Sequence, residues 1–174
     1  MPLSLVSRDV SDELESVRSV LIVSCPVCPQ VSLALEKRSP LIQLFKSGLK
    51  TVAFEDHIRE IREPLEQRGV RTGVCTMYGP VPTMCLWTRG QRNRLRRRAR
   101  DYEAVLVLGC ESAVCTAQKA LEGMDCRVVS GMQVVGITNA AVKYRFPMTL
   151  ELEDAARISE SREDREAREA TPQS

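Results

Sequence analysis

Short apolar runs alternate with amphipathic segments along most of the chain. Residues 19–24 and 104–108 are continuous apolar runs with little polar alternation, a pattern typical of strands buried on both faces. Residues 111–121 carry alanine, valine and leucine on one side at helical spacing, and Gly123 follows as a stop signal. Weaker patterns predict strands over 51–54, 70–77 and 127–130, and helices over 30–37, 89–101 and from Asp56 onward. This alternation predicts an α/β fold, a Rossmann-like three-layer sandwich with a mostly parallel sheet.

The two ends of the chain show weaker patterns. Residues 1–17 predict a short leading helix or arm, and residues 133–137 predict either one more strand or a structured loop. From residue 151 the chain becomes polar, with eight acidic and four basic side chains in its last 24 residues. We therefore expect a single α/β domain that carries a cysteine site over residues 1–150, and a charged tail, helical or disordered, over 151–174.

Composition narrows the class of protein. The chain has 174 residues, seven cysteines, one histidine and a formal net charge of +2. No segment approaches the ~18 consecutive apolar residues of a membrane helix, so no membrane association is expected. The first residues lack the basic region and apolar core of a secretory signal, which predicts a cytoplasmic protein. In a reducing compartment, cysteines serve as ligands, catalytic thiols or buried apolar residues in preference to disulfides.

Cysteines follow the two clearest strands. Cys25 and Cys28 form a Cys-x-x-Cys directly after the first strand, and Cys110 lies between the strand at 104–108 and the next helix. Ligand sites of open α/β sheets lie beyond the carboxyl ends of their strands. A helix N-terminus there stabilises thiolate, the form that binds metals and attacks disulfides. The pattern predicts one metal or redox centre.

The chain has four further cysteines, and two of them could complete the metal site. Cys75, near the end of the third predicted strand, or Cys85, in the proline-rich stretch after it, would complete a four-thiolate site. Zinc and iron–sulfur clusters both accept such a set, so the metal stays open. Cys115 lies opposite the apolar stripe of its helix, and core packing does not explain it. Cys126 is expected in the core.

The single histidine and an arginine-rich segment are the other candidates for a functional role. His57, next to Asp56 at a predicted helix start, is expected to be a solvated neighbour of the capping residue. Arginines are concentrated in one segment, residues 89–100. We expect this segment to dock an acidic protein surface or a polyanionic cofactor and not nucleic acid, because it offers almost no aromatic side chains for stacking. The arginines are Arg89, Arg92, Arg94, Arg96, Arg97, Arg98 and Arg100.

Residues 20–28 (VLIVSCPVC) and 101–110 (DYEAVLVLGC), and loosely 128–139, resemble the zinc- or iron–sulfur-binding domain associated with methylenetetrahydrofolate reductase. The resemblance implies an auxiliary protein that supports electron transfer beside a flavin- or corrinoid-dependent one-carbon enzyme. It implies Cys25, Cys28 and Cys110 as ligands, with Cys75 as a fourth. The chain departs from the family at Ser32, where the family has another cysteine. After Cys110 it also lacks the family's glycine-rich sequence.

A second resemblance leads to a different class. Cys25-Pro-Val-Cys28 before a helix, with Pro82-Thr83 further on, is similar to thioredoxin and glutaredoxin. That resemblance implies a thiol–disulfide oxidoreductase in which Cys25 attacks and Cys28 resolves. The third alternative is a non-catalytic interaction module whose cysteines pack in the core.

Overall fold

The computed structural model describes residues 2–48, 50–77 and 86–158. Its strands are interspersed with helices in the first two thirds of the chain, and the last three strands follow one another without a helix between them. The strands are β1 (Leu3–Ser7), β2 (Ser19–Ser24), β3 (Ile42–Gln43), β4 (Arg71–Thr76), β5 (Ala104–Leu108), β6 (Arg127–Ser130), β7 (Met132–Arg145) and β8 (Thr149–Ile158). The α-helices are α1 (Cys28–Glu36), α2 (Leu44–Ser47), α3 (Val52–Gln67), α4 (Arg89–Ala99) and α5 (Glu111–Ala120), and Asp12–Leu14 is a 3-10 helix.

The apolar strands form a parallel sheet in the order β4-β2-β5-β6. β2 and β5, the two central strands, are buried along their whole lengths. They pair in parallel register, with Val20 opposite Ala104 and Ser24 opposite Leu108. The α/β class and the parallel sheet are therefore confirmed, and uninterrupted apolar runs predicted the central strands because both of their faces are covered.

Helices cover both faces of the parallel sheet. On one face, Ile22 and Leu106 pack with residues of α1 and α3, among them Leu33 and Phe54, in what we call the first core. On the other face, Val23 and Val105 belong to a second core. That core also contains Leu95 and Ala99 of α4 and Ala113 and Ala117 of α5. Successive side chains of each strand point to opposite faces of the sheet and therefore pack in two separate apolar cores.

Half of the strands lie outside this sheet. β1, β7, β8 and β3 form a second sheet in that order, and all its pairings are antiparallel. The prediction of one mostly parallel sheet is wrong in this respect. The prediction for residues 133–137 is resolved in favour of a strand, which extends over 14 residues as β7.

Three local predictions are also wrong. Residues 151–158 are neither helical nor disordered but lie in β8, where Leu150 and Leu152 alternate with Glu151 and Glu153. The high charge of this segment obscured that period-two pattern. Residues 51–54 begin α3 instead of forming a strand, because four residues are too few to separate the two periodicities. Residues 1–17 contain β1. The rest of the predicted tail, residues 159–174, lies outside the described residues.

Within the described ranges, no helix is both long enough and apolar enough to cross a membrane.

Replacement of Leu106 by alanine will test the first core. Leu106 is fully buried, so Leu106→Ala should lower the free energy of unfolding by about 2–5 kcal/mol, measured by urea denaturation. Val142→Ala is the matched control, since the Val142 side chain on β7 is 62% exposed and its loss should change little. Equal losses in the two variants would contradict this assignment of the core.

Candidate functional site

The site is positioned by a reversal of the chain between β2 and β5. α1, which follows β2, packs in the first core, whereas α5, which follows β5, packs in the second. These two neighbouring parallel strands therefore send their chains to opposite faces of the sheet. In open α/β sheets such a reversal opens a crevice outside the carboxyl ends of the two strands, where ligands bind. We call this region the crevice.

Two of the predicted cysteines meet at the crevice. The backbone N–H of Cys25 donates to the carbonyl oxygen of Leu108 at 3.0 Å, which extends the contact between β2 and β5 by one residue. Gly109 comes next, and a Cβ atom built there would lie 3.3 Å from Cys25 Cβ. Cys110 then occupies the N-cap position of α5, half-buried, with extended backbone. Strand pairing thus brings Cys25 and the Gly109-Cys110 dipeptide side by side.

Cys28 lies at the crevice on the same chain segment as Cys25. It is the first residue of α1, three positions after Cys25, and the two cysteines are 9% and 7% exposed. Cys28 belongs to the first core, and Cys110 packs against the same core. α1 and α5 both begin here, so the positive ends of two helix dipoles lie at the crevice.

Ser24, the last residue of β2, directly precedes Cys25 and adds a buried polar group at the carboxyl end of the strand. Its side chain is fully buried, and its hydroxyl oxygen has no hydrogen-bond partner among the described residues. By strand alternation Ser24 faces the same core as Ile22, the face on which Cys28 also packs. A buried hydroxyl is rarely left without a partner, and one at the base of a crevice is available to a bound group.

Cys75 packs in a different core from Cys28 and Cys110. It sits within β4 opposite Val23, and it packs in the second core with 1% of its surface exposed. Burial raises the pKa of the Cys75 thiol, an effect that the nearby Arg94 and Arg98 guanidinium groups only partly offset. This environment keeps the thiol protonated. The structure therefore brings Cys25, Cys28 and Cys110 to the crevice, whereas the Cys75 side chain is buried in the second core.

A metal site is not pre-assembled in the described part of the chain. Across residues 2–48, 50–77 and 86–158, no three His, Cys, Asp or Glu side chains lie close enough together to hold a metal ion. The crevice supplies soft sulfur donors of the kind that zinc and iron–sulfur clusters bind. Ligation by all three crevice cysteines would require their side chains to move toward one another.

The other three cysteines lie outside the crevice or outside the described residues. Cys115 is exposed on α5 and lines a cavity of about 510 Å³ together with Arg8, Glu111 and Gln118. Cys126 packs against the second core, as predicted, and burial raises the pKa of its thiol. Cys85 and the Pro82-Thr83 segment of the thioredoxin resemblance lie outside the described residues.

His57 is not the solvated side chain that the sequence suggested. α3 begins at Val52 and not after Asp56, which places His57 in the second turn, on the buried side of the helix. Its Nε2 lies 3.1 Å from Ser7 Oγ, and its Nδ1 lies 3.5 Å from Glu60 Oε2. This polar chain links β1 to α3, a role that periodicity could not show because Ser7 is 50 residues away.

Sequence reasoning missed Gly109 and Ser24. A Cβ at Gly109 would lie 2.9 Å from Ala113 Cβ, so only glycine lets α5 approach the end of β2 this closely. The signal for Gly109 was its place between a buried strand and a helix. Ser24 gave no signal of its own, because a serine at a strand end is ordinary.

No family model, curated protein or solved structure matches this chain. The two resemblances described above remain predictions, and the function has to be argued from the crevice.

Gly109→Ala should damage the crevice. The added methyl group collides with Ala113 and Cys25, so we expect the free energy of unfolding to fall by about 1–3 kcal/mol in urea titrations. Labelling of Cys25 and Cys110 by a thiol reagent should also accelerate. Gly90→Ala on α4 is the control, because its nearest contact would be 3.8 Å away, and it should be neutral or slightly stabilising. A Gly109→Ala protein as stable as wild type would show that the space between Gly109, Ala113 and Cys25 can accommodate a methyl group.

His57 should give the protein a pH-dependent stability. Burial lowers the pKa of His57 below its ordinary value, although the hydrogen bond and charge of Glu60 oppose this shift. The unfolded chain therefore binds the proton at a higher pH than the folded one. The free energy of unfolding should fall as pH drops below about 6.5, with no contribution from His57 above that range.

This dependence can be assigned because the chain has one histidine. Urea denaturation of wild-type protein and of His57→Gln across this pH range would measure it. The variant should lose the slope between about pH 5.5 and 6.5, a range above the ordinary carboxyl pKa values. An unchanged slope would contradict the role of His57.

Proposed function

We propose that this protein is an accessory metal-binding protein that holds zinc or an iron–sulfur cluster with Cys25, Cys28 and Cys110. In this proposal it supports electron transfer in the reducing cytoplasm beside a flavin- or corrinoid-dependent one-carbon enzyme. The parallel sheet with helices on both faces would serve as a Rossmann-like three-layer scaffold. The family resemblance of residues 20–28 and 101–110 suggests the partner class, and the geometry of the crevice supports the choice of ligands.

The observation that carries the proposal is the meeting of β2 and β5 at the crevice. Each of these strands is followed within two residues by a cysteine, and the Cys25–Leu108 hydrogen bond fixes the two strand ends side by side. A core-forming role would not require both cysteines at this edge. The ends of parallel strands at a chain reversal are the usual place for a ligand.

The chemistry of the crevice agrees with a thiolate site. Three sulfur donors with one open position suit zinc, whereas a cluster takes four ligands, so the metal identity stays open. The α1 and α5 N-termini would stabilise the negative charge of the thiolates, and the Ser24 hydroxyl would donate to a sulfur. Cys75 is disfavoured as the fourth ligand because burial raises the pKa of its thiol.

A second candidate is thiol–disulfide exchange. The close spacing of Cys25 and Cys28, together with the lack of a three-residue metal-binding group in the described ranges, favours it. The Cys25 thiolate would attack a substrate disulfide and release one substrate thiol. Cys28 would then displace the second thiol, which leaves an intramolecular disulfide and a substrate reduced by two electrons.

Metal analysis separates the two candidates. We expect protein purified without oxygen to contain near-stoichiometric zinc, or iron with acid-labile sulfide. Cys25→Ser, Cys28→Ser and Cys110→Ser should each lose most of that metal, because each removes a ligand. Cys115→Ser is the control, since Cys115 is exposed on α5 outside the crevice, and Cys75→Ser should also retain metal.

Other outcomes would decide against the metal. Wild-type protein that stays metal-free after anaerobic reconstitution, yet exchanges disulfides with a low Cys25 pKa, would favour the oxidoreductase. Protein with neither property would be an interaction module.

A further inference from the structure

α4 and its C-cap present seven arginines that no described carboxylate neutralises. None of them forms a salt bridge with a carboxylate in residues 2–48, 50–77 or 86–158. Several arginines elsewhere in those ranges do pair with a carboxylate, namely Arg8, Arg18, Arg59, Arg62 and Arg145. The α4 set differs from the rest of the surface in this respect. We call these seven side chains, Arg89, Arg92, Arg94, Arg96, Arg97, Arg98 and Arg100, the arginine surface.

The fold uses only part of this set. Arg92 Nε donates to the carbonyl oxygen of Trp87 at 3.2 Å, and Arg96 Nη1 donates to the carbonyl oxygens of Ala120 and Glu122 at 3.0 Å each. Leu95 and Ala99 bury the opposite side of the helix in the second core. The side chains of Arg89, Arg97 and Arg100 make no hydrogen bond to a described residue. These three guanidinium groups are not engaged by the described fold.

The arrangement is unfavourable for an isolated helix. Arg92 and Arg96, like Arg94 and Arg98, are like charges four residues apart, which destabilise a helix. Arg89 and Arg92 lie in the first turn, at the positive end of the helix dipole, with no acidic residue there to compensate. A bound group with negative charge would remove both penalties.

We infer that the arginine surface docks an acidic protein surface. Guanidinium groups bind carboxylates with two parallel hydrogen bonds, which lysines cannot do. Without these seven charges, the chain's net charge of +2 becomes −5, so the rest of the molecule repels a long polyanion. α4 itself is about 16 Å long at ~1.5 Å per residue, a span that fits a compact acidic patch.

Two of the described aromatic residues, Trp87 and Tyr102, argue against nucleic acid. Trp87 is only 5% exposed, and the Tyr102 ring lies beneath the Arg71 guanidinium at 4.8 Å from its centroid. Neither ring is available to stack on bases, as single-stranded nucleic-acid sites require. An acidic protein surface needs no stacking partner.

The arginine surface lies beside the sheet edge that carries the crevice. The side chain of Gln91, in the first turn of α4, donates to the carbonyl oxygen of Met77 at 2.8 Å, one residue beyond the end of β4. A protein docked on α4 would therefore reach the carboxyl edge of the sheet. The inference does not depend on what the thiols bind, because it rests on charges and contacts of α4 alone.

Fluorescence anisotropy with a labelled, glutamate-rich synthetic helix will test this inference. Wild-type protein should bind this probe, and added salt should weaken the binding. The triple variant Arg89→Gln, Arg97→Gln, Arg100→Gln should bind about tenfold more weakly, because it removes three exposed ion pairs with the probe. The matched control, Arg38→Gln, Arg68→Gln, Arg157→Gln, removes the same charge from exposed positions elsewhere and should bind like wild type.

Three results would overturn the inference. The first is no binding of the acidic helix by wild-type protein at low salt. The second is an equal loss of binding in the two triple variants, which would show only a net-charge effect. The third is tighter binding of duplex or single-stranded DNA than of the acidic helix, which would assign the surface to nucleic acid. Cys25→Ser should bind the helix normally, so a failed metal site and a failed docking surface are distinguishable.

Discussion

The parallel pairing of β2 with β5 is the constraint on which the rest of the structure depends. Its last step is the hydrogen bond from the Cys25 N–H to the Leu108 carbonyl oxygen, at the point where the two strands end. Both strands are buried on both faces, so neither can shift its register without exposing apolar side chains to water. The pairing holds two cysteine-bearing chain segments together regardless of what their thiols do.

Opposite directions of the chain after these strands then shape the crevice. α1 turns toward the first core and α5 toward the second, so two helix N-termini flank one opening. Gly109 permits the close approach of α5 to the end of β2, since any side chain there would meet Ala113. Packing thus explains the position of Cys25, Cys28 and Cys110, and it places two positive helix ends beside them. The same packing places Cys75 in the apolar second core and raises the pKa of its thiol.

The sequence predicted the parts of the fold that local pattern determines. β2 and β5 were predicted with their observed bounds because both strands are fully buried and all of their residues except Ser19 and Ser24 are apolar. β8 was missed because Glu151 and Glu153 alternate with leucines on a partly exposed sheet, and charge concealed the period. The strand order, and with it the meeting of Cys25 with Cys110, depends on contacts between residues about 85 positions apart. Local periodicity contains no information on such contacts, so the site could be suspected but its geometry could not be predicted.

The central claim is that thiols from the ends of β2 and β5 bind one group. X-ray absorption spectroscopy on protein loaded with zinc or iron would test it most directly, because it counts the sulfur atoms bound to the metal. The metal that remains in Cys25→Ser and in Cys110→Ser should be bound by one sulfur fewer than in wild-type protein, whereas the sulfur count in Cys75→Ser should not change. An unchanged sulfur count in Cys110→Ser would contradict a site shared by the two strands.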